Sequence, residues 1–284
     1  VAIVGSELVR QGKGHVVRSR PLIMGIVNVT PDSFSDGGLY DSTDAAIEHG
    51  LELLEQGADI IDVGGETTKP GASRVEAKVE RKRVLPVIEE LVGHGARVSV
   101  DTTRSSIARA AAEAGAEFVN DVSGGLADKE MYRIVAETGV SYIAMHWRGH
   151  SDSMQEKAVY KNVVREVRTE LKARIAELLV WGVDPAKIIV DPGVGFSKTS
   201  AHNWSVLGHL DDLVTLGAPI LVGVSRKRFI GELLFDEEAD RDQATAVMSV
   251  LAARSGAWGV RVHNVAATKQ ALDVLGAWEK GARS

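Results

Sequence analysis

The chain has 284 residues, a net charge of −6 and 25% charged against 44% hydrophobic residues, the balance of an ordinary soluble globular protein. The negative balance argues against nucleic acid as a partner, and the lack of cysteine excludes disulfides, thiolate zinc sites and a cysteine nucleophile. No apolar run approaches the ~18–20 residues of a membrane span and no secretory leader pattern is visible, so no membrane partner and a cytoplasmic setting are expected.

Residues 1–20 read as an arm or hairpin outside the main repeat, with a second extended piece at His15-Val16-Val17. Leu22 to Val29 is a continuous apolar run of the buried parallel-strand type, and the polar, Gly-containing stretch Thr30 to Tyr40 follows it as a loop. Asp41-Ser42-Thr43 is a candidate N-cap for a helix whose apolar stripe is Ala46, Ile47, Leu51 and Leu54. Gly57 stops that helix and Ala58 to Val63 reads as the next strand.

The same helix-Gly-strand junction recurs at Gly95, Gly115, Gly139, Gly182, Gly217 and Gly256, which makes seven junctions after a first strand. Pro86 is expected to kink or split its helix. Gln155 to Trp181 reads as one long helix with an irregular start, and a closing helix runs from about Ala266 to Lys280. Eight strand–helix units in one domain, residues 21–284, most simply close into an α/β (β/α)8 TIM barrel. An open doubly wound sheet is the rival, but polar residues stand at every strand end rather than at one switch point.

In a barrel the C-terminal strand ends share one mouth, so residues scattered in sequence become neighbours. The polar tips are Asn28, Asp62, Asp101, Asn120 with Asp121, His146, Asp191, Lys227 and the alternating pair Arg261 and His263. Buried carboxylates are costly unless paired or bound to a ligand, and this mixture suits a polar heterocycle rich in N–H donors with an anion held nearby. Each tip also has a plainer role. Asp62 serves equally well as a cap or structural ion pair, Asp121 as a turn cap and His146 as a hydrogen-bonding residue. Arg81-Lys82-Arg83 reads as a solvated helix face, and His49, His94 and His209 as surface.

Longer stretches are more specific. Met24 to Gly38, which contains Asn-Val-Thr-Pro-Asp-Ser-Phe-Ser, resembles the first signature of the dihydropteroate synthases, and Asp62 to Gly71 is similar to their second. Ser99-Val100-Asp101-Thr102, Asn120-Asp121-Val122, Asp191-Pro192-Gly193-Val194-Gly195-Phe196, Ser225-Arg226-Lys227 and Arg261-Val262-His263 follow in family order, so the resemblance covers the chain from residue 21 onward. It implies condensation of 6-hydroxymethyl-7,8-dihydropterin diphosphate with p-aminobenzoate, giving dihydropteroate and pyrophosphate with Mg2+ assisting, in a homodimeric enzyme of folate biosynthesis that sulfonamides target.

By the same resemblance Asp101, Asn120 and Asp191 hold the pterin, and Lys227 lies against it with Met145 and Phe196 as apolar walls. Arg261, His263 and Asn28 take the diphosphate, Asn28 on the Mg2+ side. Phe34, Thr68, Pro70 and Lys227 contact p-aminobenzoate, and the loops at about 29–41 and 64–75 act as lids. The chain departs from the family pattern at Thr67, Lys69, Ser197, Arg228 and Asn264, where Ser, Arg, Gly, Ser and Asp are common. Arg228 is cationic and able to make paired bonds, so it is a candidate for the p-aminobenzoate carboxylate. Two other readings stay open: a silent pterin-binding paralogue, and a pterin-dependent methyltransferase on a similar barrel. The second leaves the first-loop signature and Ser225-Arg226-Lys227 unexplained.

Overall fold

The computed structural model describes residues 9–10, 16–17, 20–30, 39–66, 75–149, 156–234 and 241–282. Near the start, β1 (Val9–Arg10) and β2 (Val16–Val17) pair antiparallel. The main sheet holds eight strands: β3 (Leu22–Asn28), β4 (Ile60–Gly64), β5 (Val98–Asp101), β6 (Phe118–Asp121), β7 (Ser141–Met145), β8 (Ile188–Asp191), β9 (Leu221–Val222) and β10 (Gly259–Val262). Neighbours pair in parallel in the order β8-β7-β6-β5-β4-β3-β10-β9, and a parallel bridge between Val190 and Ile220 joins the two ends. The sheet is therefore a (β/α)8 barrel, and the open-sheet alternative is excluded.

Helices α1 (Leu39–Glu55), α2 (Ala77–Gly93), α3 (Ser105–Glu113), α4 (Met131–Thr138), α5 (Val163–Val180), α6 (Ser200–Gly208), α7 (Leu210–Val214), α8 (Arg228–Gly231), α9 (Arg241–Arg254) and α10 (Val265–Gly281) surround it. All seven junction glycines have positive φ, from 67° at Gly139 to 102° at Gly57. At five of them the next residue's N–H reaches back five positions, as Ala58 to Leu53 (2.9 Å) and Ala116 to Ala111 (2.9 Å) do, which ends the helix and aims the chain into the barrel.

Strand alternation sorts the core into two sets. Ile23, Val27, Ile61, Val63, Val98, Val100 and Val119 point outward and pack beneath the helices. Leu22, Met24, Ile60, Phe118, Ile143, Ile189 and Leu221 point inward and fill the lower half of the barrel. Trp258 packs on Phe118 with ring centroids 6.2 Å apart, and Arg97 lies 5.0 Å over the Phe118 ring. This apolar floor leaves the upper half to the polar tips.

Several sequence expectations change. Helix α1 starts at Leu39, so Asp41-Ser42-Thr43 lie within it and do not cap it. Pro86 does not split α2, because it sits on the exposed side where the unpaired carbonyl a turn earlier meets water. Helix α5 begins only at Val163, where Asn162 accepts a hydrogen bond from the Arg165 N–H (3.0 Å) and provides the cap. Arg83 is buried rather than solvated and donates to the Gly65 carbonyl (2.9 Å), whereas Arg81 and Lys82 are exposed.

Candidate active site

Residues of even parity on β3 and β4 and their neighbours across the sheet point into the barrel. Above the apolar floor these are Asp62, Ser99, Asp101, Asn120, Met145, Asp191 and Arg261. Asp62 is fully buried, and a lone carboxylate there would be strongly destabilising. It is matched by two donors: Arg261 Nε at 2.6 Å and Asn120 Nδ2 at 3.0 Å, both on Oδ2. Arg261 Nη2 goes on to Asp101 Oδ2 at 2.8 Å. One guanidinium from β10 thus bridges carboxylates from β4 and β5.

The geometry sets the charge states. Burial pushes the Asp101 carboxyl up to about 7; Arg261 opposes this, and Asp62 and Glu80 add to it. Burial also opposes the charge on Arg261, yet Asp62 and Asp101 hold its guanidinium above the usual range. Asp191 is raised by burial, with Lys227 and the Gly193 N–H working the other way. Lys227 is lowered to about 8 by burial, although Asp191 favours its charge.

Asp191 Oδ1 accepts from the Gly193 N–H (2.7 Å), which folds the chain after β8 into a tight turn. Lys227 donates to the Val194 carbonyl of that turn, and its Nζ lies 4.7 Å from the centroid of Phe196. Met145 is buried at the tip of β7, beside Gly193. Asn28 ends β3, half-buried at the mouth. His263 Nδ1 lies 2.9 Å from Ser225 Oγ, which also accepts from the His263 N–H (3.1 Å).

Arg261, His263 and Asn28 therefore gather at one mouth, but Arg261 leans down onto the carboxylates instead of forming a separate anion end. Arg228 starts α8 with its side chain 88% exposed and pairs with Glu232 at 3.6 Å. His146 leaves the pocket: it follows β7 with opposite parity and its ring contacts Lys198 and Glu170. Asp121 likewise faces outward, where Ser123, Gly125 and Tyr142 donate to it, as the turn-cap reading expects. Phe34, Thr68 and Pro70 lie outside the described residues.

The resemblance assigns no role to Asp62 or Ser225, although Asp62 stands among the polar tips and forms the structural pair expected as its plainer role. Asp62 has the same strand-end signal as Asp101 but is equally legible as a structural pair. Ser225 had its place in Ser225-Arg226-Lys227 as its only signal. Asn264, in place of the common Asp, caps α10 through the Ala267 N–H (2.9 Å) and donates to Asp242 Oδ2 (3.0 Å), which also takes Arg226.

Among the described residues no three His, Asp or Glu side chains converge as a metal cage. An ion held chiefly by substrate phosphates and water, with a single protein oxygen such as that of Asn28, fits this donor set.

Residues 24–263 match the model of a family described as pterin binding enzyme. The dihydropteroate synthase of Mycobacterium leprae is 51% identical over 263 residues, 90% of this chain and 93% of that protein. A structure of Xanthomonas albilineans dihydropteroate synthase with 4-aminobenzoic acid superposes with a TM-score of 0.85 at 43% identity, covering 93% of this chain and 95% of that one. A second structure of that enzyme, in complex with 7,8-dihydropteroate, gives 0.82 at 42% identity, covering 92% and 94%. The carboxylates, amide and cations at the barrel mouth stand within the matched region, and the chain belongs to the dihydropteroate synthase family of pterin-binding enzymes.

Proposed function

We propose that the barrel mouth joins 6-hydroxymethyl-7,8-dihydropterin diphosphate to p-aminobenzoate, releasing pyrophosphate. The convergence of Asp101, Asn120, Asp191, Lys227 and Arg261 on one pocket carries this reading. Asp101, Asn120 and Asp191 face the pterin ring and accept its N–H groups, and the Lys227 ammonium donates to the ring carbonyl. Met145 and Phe196 form the apolar walls. Arg261 and His263 take the diphosphate together with Asn28. Phe34, Thr68, Pro70 and Lys227 border p-aminobenzoate, with Arg228 near its carboxylate.

The chemistry suits these groups. The methylene C–O bond breaks with its electron pair going to pyrophosphate oxygen, and the methylene carbon next to the electron-rich ring becomes cationic. The neutral aniline nitrogen forms the C–N bond and then gives up its proton. No side-chain nucleophile is required, so the protein's work is electrostatic and positional. The carboxylates favour positive charge on the pterin, while Arg261 and His263 favour negative charge on the leaving group. Bound Mg2+, with Asn28 as its protein oxygen, supplies further neutralisation of the pyrophosphate oxygens.

We place the β1–β2 pair outside the barrel as an arm, and the rest of the arm expected over residues 1–20, Arg20 apart, lies outside the described residues. We assign the enzyme to the cytoplasm, because its diphosphate substrate is too charged to cross a bilayer unaided; among the described residues no helix is long and apolar enough to span one. It acts as a homodimer through α9 and α10, which pack on each other and expose Val247 and Leu251 on one helix and Val274 and Trp278 on the other.

Calorimetry with two ligands tests the residue assignment: the pterin diphosphate, and the same pterin with a free hydroxymethyl group. Asp191→Asn should weaken both, by roughly 10²-fold if the carboxylate accepts a ring N–H. Arg261→Lys should weaken the diphosphate more than the free alcohol, the loss shared by both ligands coming from Asp101, which Arg261 braces. An Arg261→Lys protein that keeps its full preference for the diphosphate would sink the assignment.

A further inference from the structure

Lys198 is 3% exposed, an unusual place for an ammonium, and none of the roles assigned above uses it. Its Nζ has three neighbours: the Gly193 carbonyl at 3.0 Å, the Phe196 carbonyl at 3.2 Å and His146 Nδ1 at 3.0 Å. Burial lowers Lys198 to about 7 while Asp191 favours its charge, and in the charged form its three donors match these three neighbours. The Glu170 carboxylate, held down against burial by His146 and Arg148, accepts the His146 Nε2 proton at 2.9 Å, which leaves Nδ1 as the acceptor facing Lys198. Burial and then Lys198 hold the His146 ring down to about 4, consistent with a neutral imidazole. Arg148 fastens Glu170 in turn and lies 3.9 Å over the Tyr160 ring, whose hydroxyl donates to the Ser197 carbonyl (3.0 Å).

The turn after β8 is therefore held from two sides. Lys227 reaches the Val194 carbonyl from within the pocket, while Lys198 draws together the carbonyls of Gly193 and Phe196 from outside it. Asn203 fixes the Gly195 N–H (2.8 Å). The turn leaves no slack: Gly193 has φ 64°, Gly195 φ 84°, and Ser197 is held at φ 48° although it is not glycine. This turn carries Phe196 and anchors Lys227, whereas Asp101 and Asn120 stand on strands that Lys198 does not touch; of the pterin carboxylates only Asp191, through the Gly193 N–H (2.7 Å), meets the turn.

We propose that Lys198 is a positioning residue for the p-aminobenzoate slot, setting the Phe196 ring and Lys227 through the Gly193 and Phe196 carbonyls. The proposal rests on the reading of Lys227 as a border of that slot, and takes the Phe196 ring, 4.7 Å from its ammonium, as the adjoining wall. It predicts an unequal loss: the pterin, held also by Asp101 and Asn120 on their strands, weakens much less than p-aminobenzoate, whose neighbour Lys227 is anchored on the turn.

The test is calorimetry of Lys198→Met, which keeps an apolar stem of similar length but no donors, and of Lys198→Gln, which keeps two donors. Protein is titrated with the dihydropterin diphosphate, and separately with p-aminobenzoate after saturation with the dihydropterin and pyrophosphate, so neither affinity depends on turnover. Lys198→Met should weaken p-aminobenzoate roughly tenfold or more while pterin-diphosphate affinity stays within about threefold, and Lys198→Gln should fall between it and wild type. Unchanged p-aminobenzoate affinity with a lower Tm, equal loss of both ligands, or failure of both variants to fold would each overturn the proposal by making the lysine a general structural residue. Wild-type protein that binds the pterin diphosphate but no p-aminobenzoate would overturn the slot reading itself, a result recognisable before any variant is made.

Discussion

Asp101 and Arg261 show how one contact serves both stability and binding. Arg261 neutralises a fully buried Asp62 and a raised Asp101 at once, so its removal leaves uncompensated carboxylates. Arg261→Met should cost about 3 kcal/mol of unfolding free energy in urea titration, in the range for breaking a buried ion pair; a loss below about 1 kcal/mol would mean that water already screens the cluster. The pH dependence of binding follows from the same residues. Below about 7 the Asp101 carboxyl is protonated and no longer a full acceptor for pterin N–H groups, so affinity should climb as pH rises through that value. Above about 8 Lys227 loses its proton and a donor, and affinity should fall again. The binding curve should be a bell with its maximum between these limits, and Asp101→Asn should flatten its acid limb. An acid limb that survives this change belongs to another group.

At the scale of elements, the junction glycines and the turn after β8 respond differently to a methyl group. Gly139, at φ 67°, has open space around its missing side chain, so Gly139→Ala should cost about 1 kcal/mol, the left-handed penalty alone. Gly193 has nearly the same φ, but a Cβ there presses on the backbone carbonyl of His146, which cannot swing away. Gly193→Ala should cost at least about 2 kcal/mol more, and equal costs in denaturant titration would show that the turn yields. These elements also show what the sequence makes legible. Glycine after an apolar helical stripe marks each helix end because few other residues accept that φ, and the strand-end polar residues follow by counting. Arg83, Lys198 and His146 were not legible in this way. Their burial depends on partners 18, 5 and 24 residues distant in Gly65, Gly193 and Glu170, which only the folded chain brings together. The cap of α1 was misread for a related reason, since short polar residues suit a first turn almost as well as the position before it.

For the whole molecule, the barrel separates a sealed apolar floor from a charged mouth, and among the described residues its outer helices expose apolar side chains on α9 and α10 and, separately, at Leu179, Val180 and Trp181 where α5 ends. If the α9 and α10 face joins two copies, sedimentation should show a dimer at micromolar concentration, and Trp278→Glu, at a side chain 78% exposed, should yield folded monomer. A wild-type monomer under those conditions would contradict the dimer. The reaction is read directly as product formation by wild-type protein from the dihydropterin diphosphate and p-aminobenzoate, with and without Mg2+. Dihydropteroate and pyrophosphate should form in equal amounts, dependent on the metal. Tight binding of the pterin diphosphate with no product would contradict it and leave a silent pterin-binding barrel.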